Sequence, residues 1–153
     1  MNIDQSTAGE QRTVETSTPP PNVGYRNQIR ESLRTGAFCY TLEYVPDLSG
    51  AGSDAIKELK RNSELLGRDP RISGVNIGDR VKSLDSLDTV TCGRIAADAS
   101  GKVPLLHLAG KNRTPDQARD VIARALSQGL ENMLLLTGDG IMEPRAERFR
   151  YHE

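Results

Sequence analysis

Four short apolar runs, set about 30 residues apart in the spacing of strand-helix-strand units, each end in polar or ionisable residues at a glycine-marked corner. The runs are Tyr40-Thr41-Leu42-Glu43, Gly74-Val75-Asn76-Ile77-Gly78-Asp79, Leu105-Leu106-His107 and Leu134-Leu135-Leu136-Thr137-Gly138-Asp139. A buried strand has no use for charge. If the runs are parallel strands alternating with helices, their carboxyl ends share one rim, where α/β barrels place their chemistry.

The segments between the runs read as helices. Ser53 can cap a helix whose Ile56, Leu59 and Leu66 share one face, with Gly67 expected at its end. From Ser86 to Ala99 the residues Leu87, Val90 and Ala97 follow a rough helical period, against which Gly93 and two threonines weigh. Thr114-Pro115-Asp116-Gln117 combines a capping threonine, proline at the first helical position and glutamine at the third. Ala118, Val121, Ile122, Ala125 and Leu126 supply that helix with an apolar face, and Gly129 ends it. The expected strands are Phe38 to Val45, Ile72 to Ile77, Val103 to Leu108 and Asn132 to Thr137.

Repeated strand-helix units imply an α/β fold with a parallel sheet and right-handed crossovers. A (β/α)8 TIM-type barrel takes about 250 residues, so a chain of 153 provides only the first four β/α units. The expected layout is a disordered polar tail and short basic helix over 1–35, then the amino-terminal half of such a barrel over 36–153. In the tail, Thr, Ser, Gln, Glu and Pro cannot bury enough apolar surface to offset ordering. Between Tyr25 and Arg34, with Ile29 and Leu33 four apart and Gly36 as a stop, a helical turn or two would cap the bottom of the domain. The first and last strands would be open edges, so either the polypeptide continues beyond Glu153 or the half-barrel pairs with a complementing half or another chain.

With 20 basic and 21 acidic residues mixed along the chain and a net charge of -1, no single-signed field draws nucleic acid or anionic membrane. No apolar stretch nears the roughly 20 residues that span a bilayer, and the first residues lack a signal-peptide core, so a cytoplasmic protein is the default expectation. Cys39 and Cys92 lie far apart without CxxC or Cys/His spacing, which indicates neither zinc nor a disulfide framework but small buried thiols.

Strand alternation sorts the candidate residues by face. Tyr40, Leu42 and Tyr44 form a bulky face suited to helices, while Cys39, Thr41 and Glu43 take the other. Glu43 would point into the barrel mouth, where loss of solvent favours the protonated form needed for general-acid work; a solvated strand end is the competing reading. His107 and Asp139 could look into the same mouth, although a strand-end histidine is often a hydrogen-bonded structural residue and Gly138-Asp139-Gly140 is also ordinary turn chemistry. Convergence of four polar corners favours a site. Lys111 and Arg113 before a helix start either hold an anion or form a solvated basic loop; the segment is no Walker motif.

In their order these motifs resemble the first half of the methylenetetrahydrofolate reductase family, flavoproteins built on a (β/α)8 barrel. Thr41-Leu42-Glu43-Tyr44-Val45-Pro46 is similar to the family's first-strand motif, Val75-Asn76-Ile77-Gly78-Asp79 to its second, Leu106-His107-Leu108 to its third, and Asn132 through Asp139 to its fourth. Lys111-Asn112-Arg113-Thr114-Pro115 and Gly129-Leu130-Glu131-Asn132 resemble its loop and helix end, so the likeness covers about Phe38 to Ile141. The resemblance implies that Glu43 is the general acid that activates the folate's methylene bridge. It implies that Asp139 contacts the pterin and influences the flavin, and that Asn76, His107, Leu136, Thr137, Gly138 and Asp139 line an FAD site, with no metal. Hydride would pass from NAD(P)H through FAD to methylenetetrahydrofolate, in one-carbon metabolism. The family often has threonine where Asn76 stands and phenylalanines where Tyr44 and Val45 stand, and some members carry arginine where Thr137 stands.

Two other classes compete with a folate reductase. A metal-dependent barrel hydrolase would use His107, Asp139 and Glu43 as ligands, without the HxH pattern such sites usually carry. A non-catalytic half-barrel subunit would bind a partner through its open sheet edges.

Overall fold

In the computed structural model, which describes residues 24–45, 53–79, 87–110 and 113–138, the four apolar runs are four strands. They are β1 (Tyr40–Tyr44), β2 (Ile72–Ile77), β3 (Leu105–Ala109) and β4 (Asn132–Leu136), all parallel and side by side in chain order. Helix α1 (Gln28–Thr35) precedes β1, and α2 (Ser53–Arg68), α3 (Thr89–Ser100) and α4 (Pro115–Ser127) occupy the three connections. The α/β expectation with a parallel sheet holds. Strand order carries further meaning: right-handed crossovers that always step to the next strand place their helices on one face, whereas a doubly wound sheet reverses direction and is covered on both.

The core lies between the sheet and those helices. Leu59 of α2, Val75 and Ile77 of β2, Val90, Cys92 and Ala96 of α3, Leu106 of β3 and Ala125 of α4 form one buried cluster. Helix α3 was obscured in the sequence by Gly93, and the packing explains the residue: a Cβ there would come within 2.4 Å of Leu106 Cδ2. The helix begins at Thr89, because the Asp88 carboxylate accepts the Val90 and Thr91 amides at 3.0 and 3.2 Å, and it ends at Gly101, whose φ of 70° suits glycine. Thr114 and Gln117 form the expected capping box on α4.

Gly67 does not end α2; the helix runs through it to Arg68. Its role is close approach, since a Cβ would stand 2.5 Å from the Ser100 carbonyl oxygen and 2.7 Å from Ser100 Cα at the end of α3. Gly67→Ala should therefore lower stability by about 1–2 kcal/mol, overpacking against backbone outweighing the gain in helix propensity, and a reduced urea midpoint would register it. The cysteines also divide: Cys92 is buried, and burial pushes its thiol up to about 11, whereas Cys39 is partly exposed.

At the amino ends of the strands α1 closes the floor, as expected. Ile29 is buried against Gly74, where a Cβ would approach Ile29 Cδ1 to 2.8 Å. Asn27 and Asn132 exchange amide hydrogen bonds at 3.0 Å, and Arg30 meets Glu131 at 2.5 Å. Beside them Lys102 is buried, its Nζ donating to the carbonyls of Leu66, Asp69 and Ile72 at 3.3, 2.8 and 2.6 Å. Burial holds this ammonium below the usual lysine range. One ammonium thus ties the last turn of α2 and the loop after it to the first residue of β2, adding to the amide bonds that the Leu66 and Asp69 carbonyls already accept. Among the described residues no helix is long and apolar enough to cross a membrane.

Candidate functional site

Pleating sends neighbouring residues of a strand to opposite faces, and residues in register on parallel strands share a face. Because Val75, Ile77 and Leu106 enter the core, Asn76 and His107 take the face away from the helices. Glu43 stands beside Asn76, Asn76 beside Leu105, and His107 beside Leu134, so Glu43, Asn76, His107 and Leu134 belong to that second face. The sequence expectation for the two faces of β1 agrees with this register.

Glu43 and His107 meet, with Oε1 3.5 Å from Nδ1, although they stand on β1 and β3 with β2 between them. The row from Glu43 runs through Asn76 to Leu105, and Gly78, just past the end of β2, has no side chain to block the diagonal. The imidazole is 13% exposed and the carboxylate 52%. The dry surroundings expected around Glu43 are thus not supplied by the described residues. His107 does sit in such surroundings.

Two atoms at this place are buried without a hydrogen-bond partner among the described residues, Asn76 Oδ1 and His107 Nε2. Each such group costs about 1–3 kcal/mol relative to a satisfied one, enough to make the pair informative. Asn76 Oδ1 can only accept, and His107 Nε2 accepts in the tautomer that carries its proton on Nδ1, so in that tautomer the rim presents two acceptors to whatever lies over it.

Leu136 ends β4 on the face of His107, 41% exposed, and its carbonyl accepts the Gly110 amide at 2.8 Å. Thr137 follows on the surface, and Gly138 turns the chain with φ 81°, a conformation that suits glycine. Asp139 lies outside the described residues, as does Lys111.

Arg113 departs from both sequence readings. Its guanidinium grips the Asp79 carboxylate with two nitrogens, Nη1 to Oδ2 and Nη2 to Oδ1 at 2.9 Å, while Nη1 also donates to the Ala109 carbonyl at 2.7 Å. Asp79 Oδ2 accepts the Ala109 amide at 2.8 Å. The side chains are 5% and 14% exposed, so Arg113 is neither a solvated loop cation nor open to an external anion. This buried clamp ties the end of β2 to the end of β3, two residues beyond His107. Sequence reasoning missed it because 34 residues separate the partners; the only signal was a charge at the end of an apolar strand.

Among the described residues no three His, Cys, Asp or Glu side chains converge in a set that could hold a metal ion. The chain matches no model of a known protein family, and no curated protein matches it.

Proposed function

We propose that the chain supplies the first half of a (β/α)8 barrel of the methylenetetrahydrofolate reductase type, which reduces 5,10-methylenetetrahydrofolate to 5-methyltetrahydrofolate with NAD(P)H through FAD. The observation that carries the reading is the meeting of Glu43 and His107 above Asn76, on one rim formed by the carboxyl ends of parallel strands. Sequential strand order with helices on one face supports the barrel, because that is the wall a barrel extends.

The residues fit a flavin. Its ribityl hydroxyls and pyrimidine N-H are donors, and Asn76 Oδ1 and His107 Nε2 are acceptors lacking partners among the described residues. Asn76, His107, Leu136, Thr137 and Gly138, with Asp139, would hold it. FAD, when bound, relays hydride from the nicotinamide to the folate. The chain's own part is to orient and to move a proton. Glu43 would hold a proton on its carboxyl group for the folate's methylene bridge, and His107 Nδ1 would keep that group aimed along the rim. Leu134 and Leu136 would give the rim an apolar flank that excludes water.

A titration of the purified chain with FAD, followed in the visible spectrum, tests this reading. Saturable perturbation of the flavin bands is the expected result, and Asn76→Leu should raise the Kd roughly tenfold, the worth of one hydrogen bond. Unchanged bands would remove the flavin reading and favour the non-catalytic subunit.

A further inference from the structure

Glu43 and His107 meet across β2, yet the backbone ladder that should fix their separation ends before His107. Among the described residues β2 pairs with β3 only at Asn76 with Leu105 and Ile77 with Leu106, whereas β4 follows β3 up to Ala109. In a parallel ladder the N-H and C=O of one residue point to the same neighbour, and those of the next residue point to the other side. The Gly110 amide donates to the Leu136 carbonyl on the β4 side, so the polar groups of Ala109 face β2. The Asp79–Arg113 pair meets them there: Asp79 Oδ2 accepts the Ala109 amide at 2.8 Å, and Arg113 Nη1 donates to the Ala109 carbonyl at 2.7 Å. Two side chains thus continue a ladder that β2 no longer supplies.

The same short piece of chain also holds β1. The Gly78 amide donates to the Tyr44 carbonyl at 3.5 Å. Tyr44 follows Glu43, and Ala109 stands two residues after His107, so both sides of the contact are tied to Gly78-Asp79. At about 3.3 Å per residue, the grip on Ala109 lies roughly 7 Å along the strand from His107. The contact itself is 3.5 Å long, at the outer edge of hydrogen-bond range, so a shift of a few tenths of an ångström decides whether it is made.

We infer that the Asp79–Arg113 pair is the positioning device of the rim, holding His107 Nδ1 on Glu43 and thereby leaving Nε2 as the acceptor. The chemistry that the aimed ring serves rests on the reductase reading proposed above; the aim itself does not. An ionised Glu43 only accepts, so an imidazole held against it keeps its proton on Nδ1. Released from Glu43, the ring mixes in the form protonated on Nε2, and the pair of acceptors on the rim is lost. A buried ion pair suits this task better than apolar packing, because its net gain in stability is small whereas a two-nitrogen grip on a carboxylate fixes geometry.

Nitrogen NMR of the imidazole tests the assignment. The chain has two histidines, His107 and His152, so a His152→Gln background leaves a single labelled ring to observe. At about pH 8.5, above the ordinary imidazole pKa of about 6.5, the ring should show two well-separated nitrogens, Nδ1 protonated and Nε2 bare. Arg113→Lys keeps the charge but not the double grip, and should draw the two resonances toward each other as the tautomers mix. Asp79→Asn combined with Arg113→Met should do the same, since it too leaves the Ala109 carbonyl without its donor, and it serves if the lysine variant fails to fold. Gly67→Ala, which lowers stability away from the rim, should leave both resonances in place, as loss of stability alone would. A ring protonated on Nε2 in the unaltered clamp, or resonances indifferent to the folded clamp variants, overturns the inference. Resonances that respond as expected while the bands of added FAD stay unchanged keep the positioning and remove the flavin reading; perturbed flavin bands with an indifferent ring do the reverse.

Discussion

Under the proposed reductase function, Glu43→Gln should abolish folate reduction while leaving reduction of the flavin by NAD(P)H at its original rate. Loss of a positioned general acid typically costs 10²- to 10⁴-fold, and glutamine keeps the size and hydrogen-bonding reach of glutamate while losing the transferable proton. The carboxylate is half exposed and makes no buried network, so the substitution should leave the unfolding midpoint unchanged. Stopped-flow measurement of the two half-reactions separates them, flavin bleaching by nicotinamide first and reoxidation by methylenetetrahydrofolate second. A selective loss in the second half-reaction is the expected signature. Equal loss in both would make Glu43 a structural or flavin-binding residue, and loss in neither would end its assignment as the acid.

The largest effect on stability is expected from Arg113→Met. Asp79, 5% exposed in the pair, would keep only the Ala109 amide as a partner among the described residues, and breaking a buried pair by removing one partner costs about 3–5 kcal/mol. Arg113→Lys should recover only part of the loss, because a lysine cannot reproduce the two-nitrogen grip on the carboxylate or hold the Ala109 carbonyl at the same time. Asp79→Asn combined with Arg113→Met should be less damaging than the sum of the single changes, since both ends of the pair are then neutral. Urea unfolding of the four variants checks all three statements. If Arg113→Met costs no more than a surface ion pair, about 1 kcal/mol or less, the clamp is not buried in solution.

Much of the fold was legible in local patterns. Thr114, Pro115 and Gln117 mark the start of α4 because capping chemistry acts over three or four residues. Alternation along β1 assigned Glu43 to the face away from the helices because pleating is a property of the strand itself. Where glycine appears, local reasoning was ambiguous. Gly36 and Gly101 end helices with positive φ, whereas Gly67 and Gly93 sit inside helices because a neighbouring backbone or a leucine comes too close for a side chain. Propensity alone cannot separate these cases.

The candidate site divides in the same way. Amino-acid order determined that polar and ionisable residues stand at the ends of four apolar runs, and period and spacing were enough to put those ends on one rim. Only the tertiary structure decided that Glu43 reaches His107 across β2, that Asn76 Oδ1 and His107 Nε2 are buried without partners among the described residues, and that Arg113 is spent on Asp79. The physical reason is range. Helix caps and strand pleats are set by residues a few positions apart, whereas the rim contacts join residues 34 to 64 positions apart, and those distances depend on strand order and stagger.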